Sequence, residues 1–307
     1  PVEAMVASAR RSLVGRVADT EVVAAALAAG RSVLLEGPPG TGKTTLLRSL
    51  AAGAGVRLFL VEGNAELSPA RLVGHHDPSR VLDEGYSPEN FVPGPLIEAM
   101  TAGGLLYVEE LNRIPEETLN VLLGVLSERR MQVPRYGEVE AAGTFRLVAA
   151  MNPFDAVGTG RITPALYDRS CRVGVGYQDE ADEIAIVERE TDGPTALVVR
   201  AVRTVRLSRE HPDLRIGSSV RGGIDLTRLA CSLAALRRVP VTDWQVGLDA
   251  ALVALSGRIR LADSATRTAE DVVAELYEAV FGAARDAGAG EASGEAPARL
   301  RRASGER

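Results

Sequence analysis

The chain has 307 residues, of which 46% are hydrophobic and 25% are charged, and its formal net charge is −6. This composition is typical of a globular protein and excludes the collagen-like, fully disordered and disulfide-scaffold classes. The negative charge argues against sequence-independent binding to nucleic acid. No apolar run approaches the ~18 residues that span a bilayer, and the first residues lack the order of a signal peptide, so we expect a cytoplasmic protein without membrane insertion.

The first strongly patterned segment is a strand followed by a glycine-rich loop and a helix. Residues 32–36 (SVLLE) predict a buried strand, and residues 44–51 predict the helix. Residues 37–44 (GPPGTGKT) match the phosphate-binding pattern G-x-x-x-x-G-K-[ST] without exception. Lys43, inside this loop, is the only lysine among the 35 Lys and Arg residues of the chain. We therefore predict a nucleotide site at this loop.

The loop has the residue types that bind the phosphates of ATP. Its glycines allow backbone N–H groups and the helix N-terminus to converge on phosphate oxygens. Lys43 supplies a compact positive charge to the β- and γ-phosphates, and Thr44 offers its hydroxyl to Mg²⁺. The predicted cofactors are therefore ATP and Mg²⁺. The predicted nucleotide-binding residues of the loop are Gly37, Pro38, Pro39, Gly40, Thr41, Gly42, Lys43, Thr44 and Thr45.

Two carboxylates follow an apolar strand at residues 105–108. Glu109 and Glu110 have the arrangement of a Walker B strand, in which the first acid holds the Mg²⁺ shell and the second polarises the attacking water. We predict Glu109 as a metal residue, with Thr44, and Glu110 as the general base. The first acid of such pairs is usually aspartate. The longer Glu109 therefore leaves open an alternative, a nucleotide-dependent switch with little hydrolysis.

Strand-like and helix-like segments alternate from residue 32 to residue 175, which predicts an α/β fold with a parallel sheet between layers of helices. The predicted strands cover residues 33–36, 57–61, 105–108, 145–151 and 171–175. From residue 180 the pattern is helical. We predict a nucleotide-binding core over residues 1–178, a smaller all-α lid over residues 179–284, and a disordered tail over residues 285–307.

Two segments of the predicted core are longer than a minimal crossover between a strand and a helix. Residues 67–95 are rich in proline and poor in apolar residues, which predicts a long irregular insertion. His75 and His76 lie in it and, without other nearby ligands, are expected to be plain surface residues. Residues 131–144 contain two short strand-like runs on either side of Tyr136, which predicts a hairpin.

In this order the motifs resemble those of the AAA+ ATPases, and within them the MoxR branch, over about residues 12–283. Residues 13–16 (LVGR) resemble the N-terminal box beside the adenine, and residues 109–113 (EELNR) resemble the D-E-[IL]-N-R signature. Residues 91–96 (FVPGPL) resemble the F-x-x-G-P-[LIF] segment. The resemblance implies an AAA+ three-layer αβα core with a helical lid and Mg²⁺-dependent ATP hydrolysis, and it adds Val14 and Gly15 to the nucleotide-binding residues.

The resemblance also implies roles for four further residues. Asn152, after the predicted strand at residues 145–151, matches the sensor 1 position. Arg169 matches the arginine that a subunit presents to its neighbour's nucleotide, and Arg172 is the alternative for this role. Arg221 matches the sensor 2 position. With Lys43 and Glu110, these are the predicted catalytic residues.

A site that needs a neighbour's arginine implies head-to-tail contacts that close into a ring, and the family suggests a hexamer. By the same resemblance, the insertion at residues 67–95 faces the ring pore and the ATPase acts as a chaperone on a partner protein. Such partners often bear a von Willebrand factor A domain and are remodelled for maturation or metal-cofactor insertion. A nucleic-acid motor is the alternative from another class. The net acidity and the lack of a helix-turn-helix or basic-aromatic stripe argue against it.

Overall fold

We describe a computed structural model of the chain, which defines residues 2–153 and 164–282. Its strands are β1 (Ser32–Glu36), β2 (Leu58–Glu62), β3 (Gly74–His76), β4 (Phe91–Pro93), β5 (Leu105–Glu109), β6 (Arg130–Val133), β7 (Gly137–Glu140), β8 (Arg146–Met151), β9 (Ser170–Gly174), β10 (Leu214–Ile216) and β11 (Arg260–Leu261). Its α-helices are α1 (Val2–Ser12), α2 (Val17–Ala28), α3 (Lys43–Ala54), α4 (Pro69–Val73), α5 (Pro78–Glu84), α6 (Pro95–Ala102), α7 (Glu116–Glu128), α8 (Pro164–Arg169), α9 (Glu180–Glu190), α10 (Thr195–Ser208), α11 (Val220–Arg237), α12 (Trp244–Leu255) and α13 (Ala269–Phe281).

Five parallel strands form the main sheet, in the order β2-β5-β8-β1-β9. The central strands β1 and β8 are buried along nearly their whole length, as expected for parallel strands that helices cover on both faces. The edge strand β2 instead alternates buried and exposed residues. Each of the five predicted strands is present with bounds that differ by one residue from the prediction, so the predicted parallel α/β sheet is confirmed.

Apolar cores lie on both faces of this sheet because successive side chains of a strand point to opposite faces. Leu34 of β1 and Leu106 of β5 belong to one core, and their neighbours Leu35 and Tyr107 belong to the other. All four side chains are fully buried. The strand interiors are therefore fixed from two sides, which leaves the strand ends to carry polar groups.

The described chain divides into two compact units. The first unit extends to Arg189 and includes Ser219–Arg221, and the second comprises Glu190–Ser218 and the residues from Gly222 onward. The first unit thus extends past residue 178, because α9 contacts the N-terminal segment: Arg189 Nη1 donates to the carbonyl oxygen of Ser12 at 2.8 Å. The tail predicted at residues 285–307 lies outside the described residues.

The second unit is built mainly of helices around one core, to which α10, α11, α12 and α13 contribute. Helix α12 has a capped start: the carboxylate of Asp243 accepts a hydrogen bond from the backbone N–H of Val246 at 3.0 Å. This unit also contains a short antiparallel pair, β10 and β11, which helical periodicity did not indicate. Among the described residues of both units, no helix is long and apolar enough to cross a bilayer.

The sequence led us to expect an irregular insertion at residues 67–95, but this segment has regular secondary structure. It contains α4, α5 and the antiparallel pair β3 and β4. Pro69 and Pro78 begin the two helices, at a position that requires no N–H donor, and the side chains of Ser68 and Asp77 cap them. The prolines that suggested an irregular segment therefore start helices instead.

An aromatic cluster joins the two insertions, and His76 belongs to it rather than being a plain surface residue. The ring of His76 lies 5.2 Å from that of Tyr86 and 5.3 Å from that of Phe91. Phe91 in turn lies 4.4 Å from Tyr136, and the guanidinium of Arg135 stacks 3.8 Å from the ring centre of Tyr86. Arg135 and Tyr136 form the turn of the predicted hairpin, which is confirmed as β6 and β7.

Candidate functional site

The register of the sheet brings three predicted motifs to one edge. Glu36, the last residue of β1, pairs with Met151, the last residue of β8. On its other side β8 pairs with β5, which ends at Glu109. Because parallel strands end at the same edge of a sheet, the phosphate loop, the acidic pair and Asn152 all lie there. Ligands of open α/β sheets bind at this edge.

A cleft at this edge gathers most of the predicted site residues. It is lined by Gly37, Pro39, Gly40, Thr41, Gly42, Lys43, Thr44, Thr45, Tyr107, Glu109, Glu110, Ala150, Met151, Asn152 and Arg221. Arg221 is the second residue of helix α11 and belongs to the first unit, although the helix continues into the second. The cleft thus combines the loop, both carboxylates, the sensor 1 candidate and the sensor 2 candidate.

The loop backbone depends on glycine where other parts of the first unit come close. Gly40 has a φ of 75°, and a Cβ atom on it would lie 2.3 Å from the hydroxyl of Ser219. Gly42, with a φ of 82°, directly precedes α3. Both residues occupy the left-handed region that side chains disfavour, which leaves the loop amides and the start of α3 exposed to the cleft.

Lys43 folds back over the loop that carries it. Its ammonium donates to the carbonyl oxygens of Gly37 at 3.0 Å and Pro38 at 2.8 Å, and to the hydroxyl of Thr41 at 3.3 Å. These acceptors are neutral. They hold the ammonium at the mouth of the loop without neutralising its charge.

Burial lowers the pKa of Lys43 from 10.5 to about 8, because the charged ammonium loses hydration. The carboxylate of Glu109 opposes this shift, whereas the positive charges of Arg16 and Arg221 add to it. Three cations therefore surround the loop, and an anionic ligand there would relieve their mutual repulsion. This is the electrostatic environment that a polyphosphate requires.

Thr44 of the phosphate loop and Glu109 of β5 are in direct contact in the cleft. The hydroxyl of Thr44 donates to Oε1 of Glu109, and the hydroxyl of Tyr107 donates to the same oxygen at 2.9 Å. Burial and the neighbouring Glu109 charge raise the pKa of Tyr107, so this hydroxyl stays a donor. The hydroxyl of Thr44 and the carboxylate of Glu109 are thus two hard oxygen ligands that lie together beside the phosphate loop.

The oxygen donors fit Mg²⁺, which binds in phosphoryl-transfer sites through few protein groups together with phosphate oxygens and water. Thr44 and Glu109 are the residues that would hold it. Across residues 2–153 and 164–282, no group of three or more His, Cys, Asp or Glu side chains is placed to hold a metal by itself. An ion here would need the oxygens of a bound phosphate.

Glu110 has a strained backbone and a partner of its own. Its φ is 50° and its ψ is 44°, a left-handed conformation that is rare for a residue with a side chain. Its Oε2 lies 3.0 Å from Nη1 of Arg113. The carboxylate predicted as the general base is therefore held at the cleft in an ion pair within the EELNR segment.

Comparison with known proteins agrees with this geometry. Residues 32–170 match the AAA domain of the dynein-related subfamily. The chain is 30% identical over 219 residues to an uncharacterised protein of Staphylococcus haemolyticus, and the match covers 69% of this chain and 82% of that one. The chain belongs to the AAA+ family of P-loop ATPases.

A second relative of this AAA+ chain is the gas vesicle ATPase GvpN of Ancylobacter aquaticus, at 30% identity over 220 residues. That match covers 66% of this chain and 62% of the relative, so the chain spans less than two thirds of the GvpN length. A solved structure of a candidate ATPase from Cytophaga hutchinsonii has a TM-score of 0.52 at 19% identity and covers 90% of this chain and 92% of that one. At this identity the likeness concerns the fold alone.

Arg169 and Arg172 lie outside the cleft of their own AAA+ subunit. Arg169 ends α8, where its Nε donates to the hydroxyl of Ser127 at 2.6 Å and its Nη1 to the carbonyl oxygen of Ala165 at 2.9 Å. Arg172 lies in β9 and donates through Nε to the carboxylate of Glu36. The structure therefore separates the two candidates: one is held at the end of a helix, and the other is ion-paired beside the phosphate loop.

Val14 and Gly15 are also not among the residues that line the cleft. The carbonyl oxygen of Val14 accepts from Nε2 of Gln178. Gly15 has a φ of 63°, and a Cβ atom there would lie 1.9 Å from the carboxylate of Asp182. This segment is thus packed against the chain that follows β9. Pro38, another predicted loop residue that does not line the cleft, accepts a hydrogen bond from Lys43 through its carbonyl oxygen.

Two residues of the AAA+ site were missed from the sequence. Tyr107 lies two positions before Glu109 on β5 and therefore on the same face, a relation that strand periodicity could have revealed. Arg16, the last residue of the LVGR segment, has a side chain only 4% exposed. It donates to Asp19 at 2.7 Å and to the carbonyl oxygen of Gly176 at 2.6 Å. The resemblance of the LVGR segment included Arg16 but did not indicate that its side chain would be buried near Lys43.

Proposed function

We propose that the protein binds ATP with Mg²⁺ and hydrolyses it in a closed ring, as a MoxR-type motor that remodels a partner protein. The observation that carries the nucleotide site is the desolvated ammonium of Lys43, which lies with Arg16 and Arg221 at a loop of exposed backbone amides. The negative charge of a triphosphate would offset the repulsion between these three cations.

In the proposed reaction, Lys43 and the loop amides hold the β- and γ-phosphates, and Arg221 contacts the γ-phosphate from its own subunit. Glu110 accepts the proton of the attacking water, and the amide of Asn152 orients that water. Thr44 and Glu109 would hold Mg²⁺, which neutralises charge on the phosphate oxygens when bound.

Calorimetry with ATP and Mg²⁺ tests the nucleotide site. The wild-type protein is expected to bind ATP, and Lys43→Ala is expected to abolish binding, because the loop then has no charge for the phosphates. Arg48→Ala is the matched control, since it removes an exposed cation from the same helix outside the cleft. Retained affinity in Lys43→Ala would contradict the assigned loop.

The ring is supported by the position of Arg169, which lies outside its own cleft with a side chain that is 37% exposed. The aromatic cluster that joins both insertions supports their action as one substrate-facing element. Native mass measurement with and without ATP and Mg²⁺, combined with phosphate release, tests assembly and turnover together. A hexamer that hydrolyses ATP is the expected result. Stimulation of turnover by a protein with a von Willebrand factor A domain would identify the partner class, and stimulation by DNA would favour a nucleic-acid motor instead.

A second candidate function is a nucleotide-dependent switch with little hydrolysis. The ion pair between Glu110 and Arg113 favours it, because this pair occupies the carboxylate that would accept the proton of water. The unusual Glu109 points in the same direction. Comparing the turnover of the wild-type protein with that of Glu110→Gln decides: similar, near-background rates would favour the switch.

A further inference from the structure

Glu36 is a buried carboxylate that directly precedes the phosphate loop. It is 5% exposed and ends β1, so that the next residue is Gly37. Its Oε1 accepts a hydrogen bond from the hydroxyl of Tyr167 at 2.8 Å, and its Oε2 accepts from Nε of Arg172. Both oxygens of this carboxylate are therefore bound by side chains from a distant part of the chain.

The two partners of Glu36 lie on either side of Arg169. Tyr167 precedes Arg169 on α8, and Arg172 follows it on β9. A single carboxylate thus ties both arms of the turn that carries Arg169. Glu36 also raises the pKa of Tyr167, after the larger effect of burial, which keeps the phenol a hydrogen-bond donor. The turn cannot shift relative to β1 without breaking one of these bonds.

The backbone of the same residue belongs to the strand that leads into the phosphate loop. The carbonyl oxygen of Glu36 accepts from the N–H of Val175 at 2.7 Å. The carbonyl oxygen of its neighbour Gly37 accepts from the ammonium of Lys43 at 3.0 Å. Contacts therefore run without a gap from Lys43 through Glu36 to the turn that carries Arg169.

We propose that Glu36 is a positioning residue that fixes the turn carrying Arg169 to the strand of the phosphate loop, so that each subunit's arginine is aligned by its own nucleotide site. The proposal rests on the proposed function, in which Arg169 acts on the neighbour's nucleotide. The proposal also gives Arg172 a role within its own subunit, because the Nε of Arg172 donates to the carboxylate of Glu36.

The physical basis is the cost of leaving a buried carboxylate without partners. A charge that is removed from water is stable only when its oxygens remain paired, and breaking one partner is strongly unfavourable. The side chain of Arg172 is 63% exposed, so the ion pair with Glu36 does not bury the arginine. The carboxylate instead holds the side chains of Tyr167 and Arg172 in one arrangement around Arg169.

The test is a double-mutant cycle on the assembled protein, measured as kcat for ATP and as ATP affinity. Tyr167→Phe removes only the hydroxyl and is expected to lower kcat about tenfold, a part of the ~10³ to 10⁵ that an arginine in trans supplies. ATP affinity should stay within about twofold of wild type, because the phosphate contacts are untouched. In the Arg169→Ala background, the same substitution should have no further effect on kcat.

Independent losses would overturn the proposal: if Tyr167→Phe lowers kcat by the same factor with and without Arg169, the hydroxyl does not act through that arginine. An unchanged kcat in Tyr167→Phe alone would overturn it as well. Tyr277→Phe is the matched control, since it removes a tyrosine hydroxyl bonded to the carbonyl oxygen of Trp244 in the second unit. Its kcat is expected to equal that of the wild type.

A second pair of variants keeps the proposal testable if the tyrosine change perturbs folding. Arg172→Gln should lower kcat without changing ATP affinity, and again only when Arg169 is present. Arg10→Gln is its control, because it removes an arginine from an ion pair with Glu21 that is exposed on both sides. A loss in Arg172→Gln that persists without Arg169 would contradict the assignment.

These results separate the positioning role from the proposed function itself. If the wild-type protein neither binds nor hydrolyses ATP, the proposed function fails. Suppose instead that the wild-type protein hydrolyses ATP and that Arg169→Ala is defective. If the loss of kcat in Tyr167→Phe or Arg172→Gln then multiplies with the loss in Arg169→Ala, only the positioning role of Glu36 fails.

Discussion

The hydroxyl of Thr44 donates a hydrogen bond to Oε1 of the Glu109 carboxylate. Thr44 and Glu109 are the residues that would hold Mg²⁺, since both offer the hard oxygen ligands that this ion prefers. Their contact places these two oxygen ligands side by side in the protein.

This pair predicts the Mg²⁺ requirement of the enzyme. Thr44→Ala should raise the Mg²⁺ concentration for half-maximal turnover by at least about tenfold, because one oxygen ligand is lost. Thr44→Ser retains the hydroxyl and should behave like the wild type. Titration of phosphate release with Mg²⁺ at saturating ATP measures both. An identical Mg²⁺ requirement in Thr44→Ala would show that this hydroxyl is no ligand.

Glu110 is predicted to act in the hydrolysis step, after ATP has bound. Glu110→Gln should keep ATP affinity but lower turnover by about 10² to 10⁴, the usual contribution of a positioned general base. Parallel calorimetry and phosphate-release assays separate the two effects. Glu84→Gln is a suitable control, since it changes an exposed carboxylate that pairs with Arg80 outside the cleft.

Arg169 is predicted to act across a subunit boundary. Arg169→Ala should leave ATP binding intact and lower turnover about 10³-fold or more. Lys43→Ala subunits cannot bind ATP but keep an intact arginine. Mixing the two inactive proteins should therefore restore part of the turnover, measured as phosphate release against the mixing ratio. Continued inactivity in rings shown by native mass measurement to contain both subunits would contradict action in trans. A larger loss of turnover in Arg172→Ala would contradict the choice of Arg169 for this role.

The depressed pKa of Lys43 predicts a pH dependence of binding. In the free protein the ammonium loses its proton near pH 8, whereas bound phosphates favour the charged form. The complex therefore binds more protons than the free protein above about pH 8, and ATP affinity should fall with rising pH by up to about tenfold per unit. Calorimetry at pH 9 in two buffers of different ionisation enthalpy should reveal proton uptake. At pH 7 the uptake should be close to zero.

The stability of the first unit is predicted to depend on residues that face the sheet cores. Leu106→Ala should lower the free energy of unfolding by about 2–5 kcal/mol, because Leu106 is fully buried between β5 and the helices of one core. Leu82→Ala, at a side chain that is 87% exposed, should change it by less than about 0.5 kcal/mol. Urea unfolding followed by circular dichroism measures the difference.

Local patterns predicted the parts of the fold that depend on neighbouring residues. The five strands of the sheet were found because each is a short apolar run between polar segments. The insertion at residues 67–95 was predicted wrongly because proline frequency was taken as irregularity, whereas Pro69 and Pro78 start helices. The same composition is compatible with both outcomes, and only the position of each proline relative to a cap separates them.

The sequence by itself determined the phosphate loop, since GPPGTGKT is contiguous and its chemistry needs only consecutive backbone amides, one ammonium and one hydroxyl. It also marked Glu109, Glu110, Asn152 and Arg221, each through a short motif. Only the tertiary structure decided that Arg16 lies buried near Lys43, and that Glu36 holds Tyr167 and Arg172. These contacts join residues far apart in the chain. The register of the sheet creates them, and no local periodicity encodes that register.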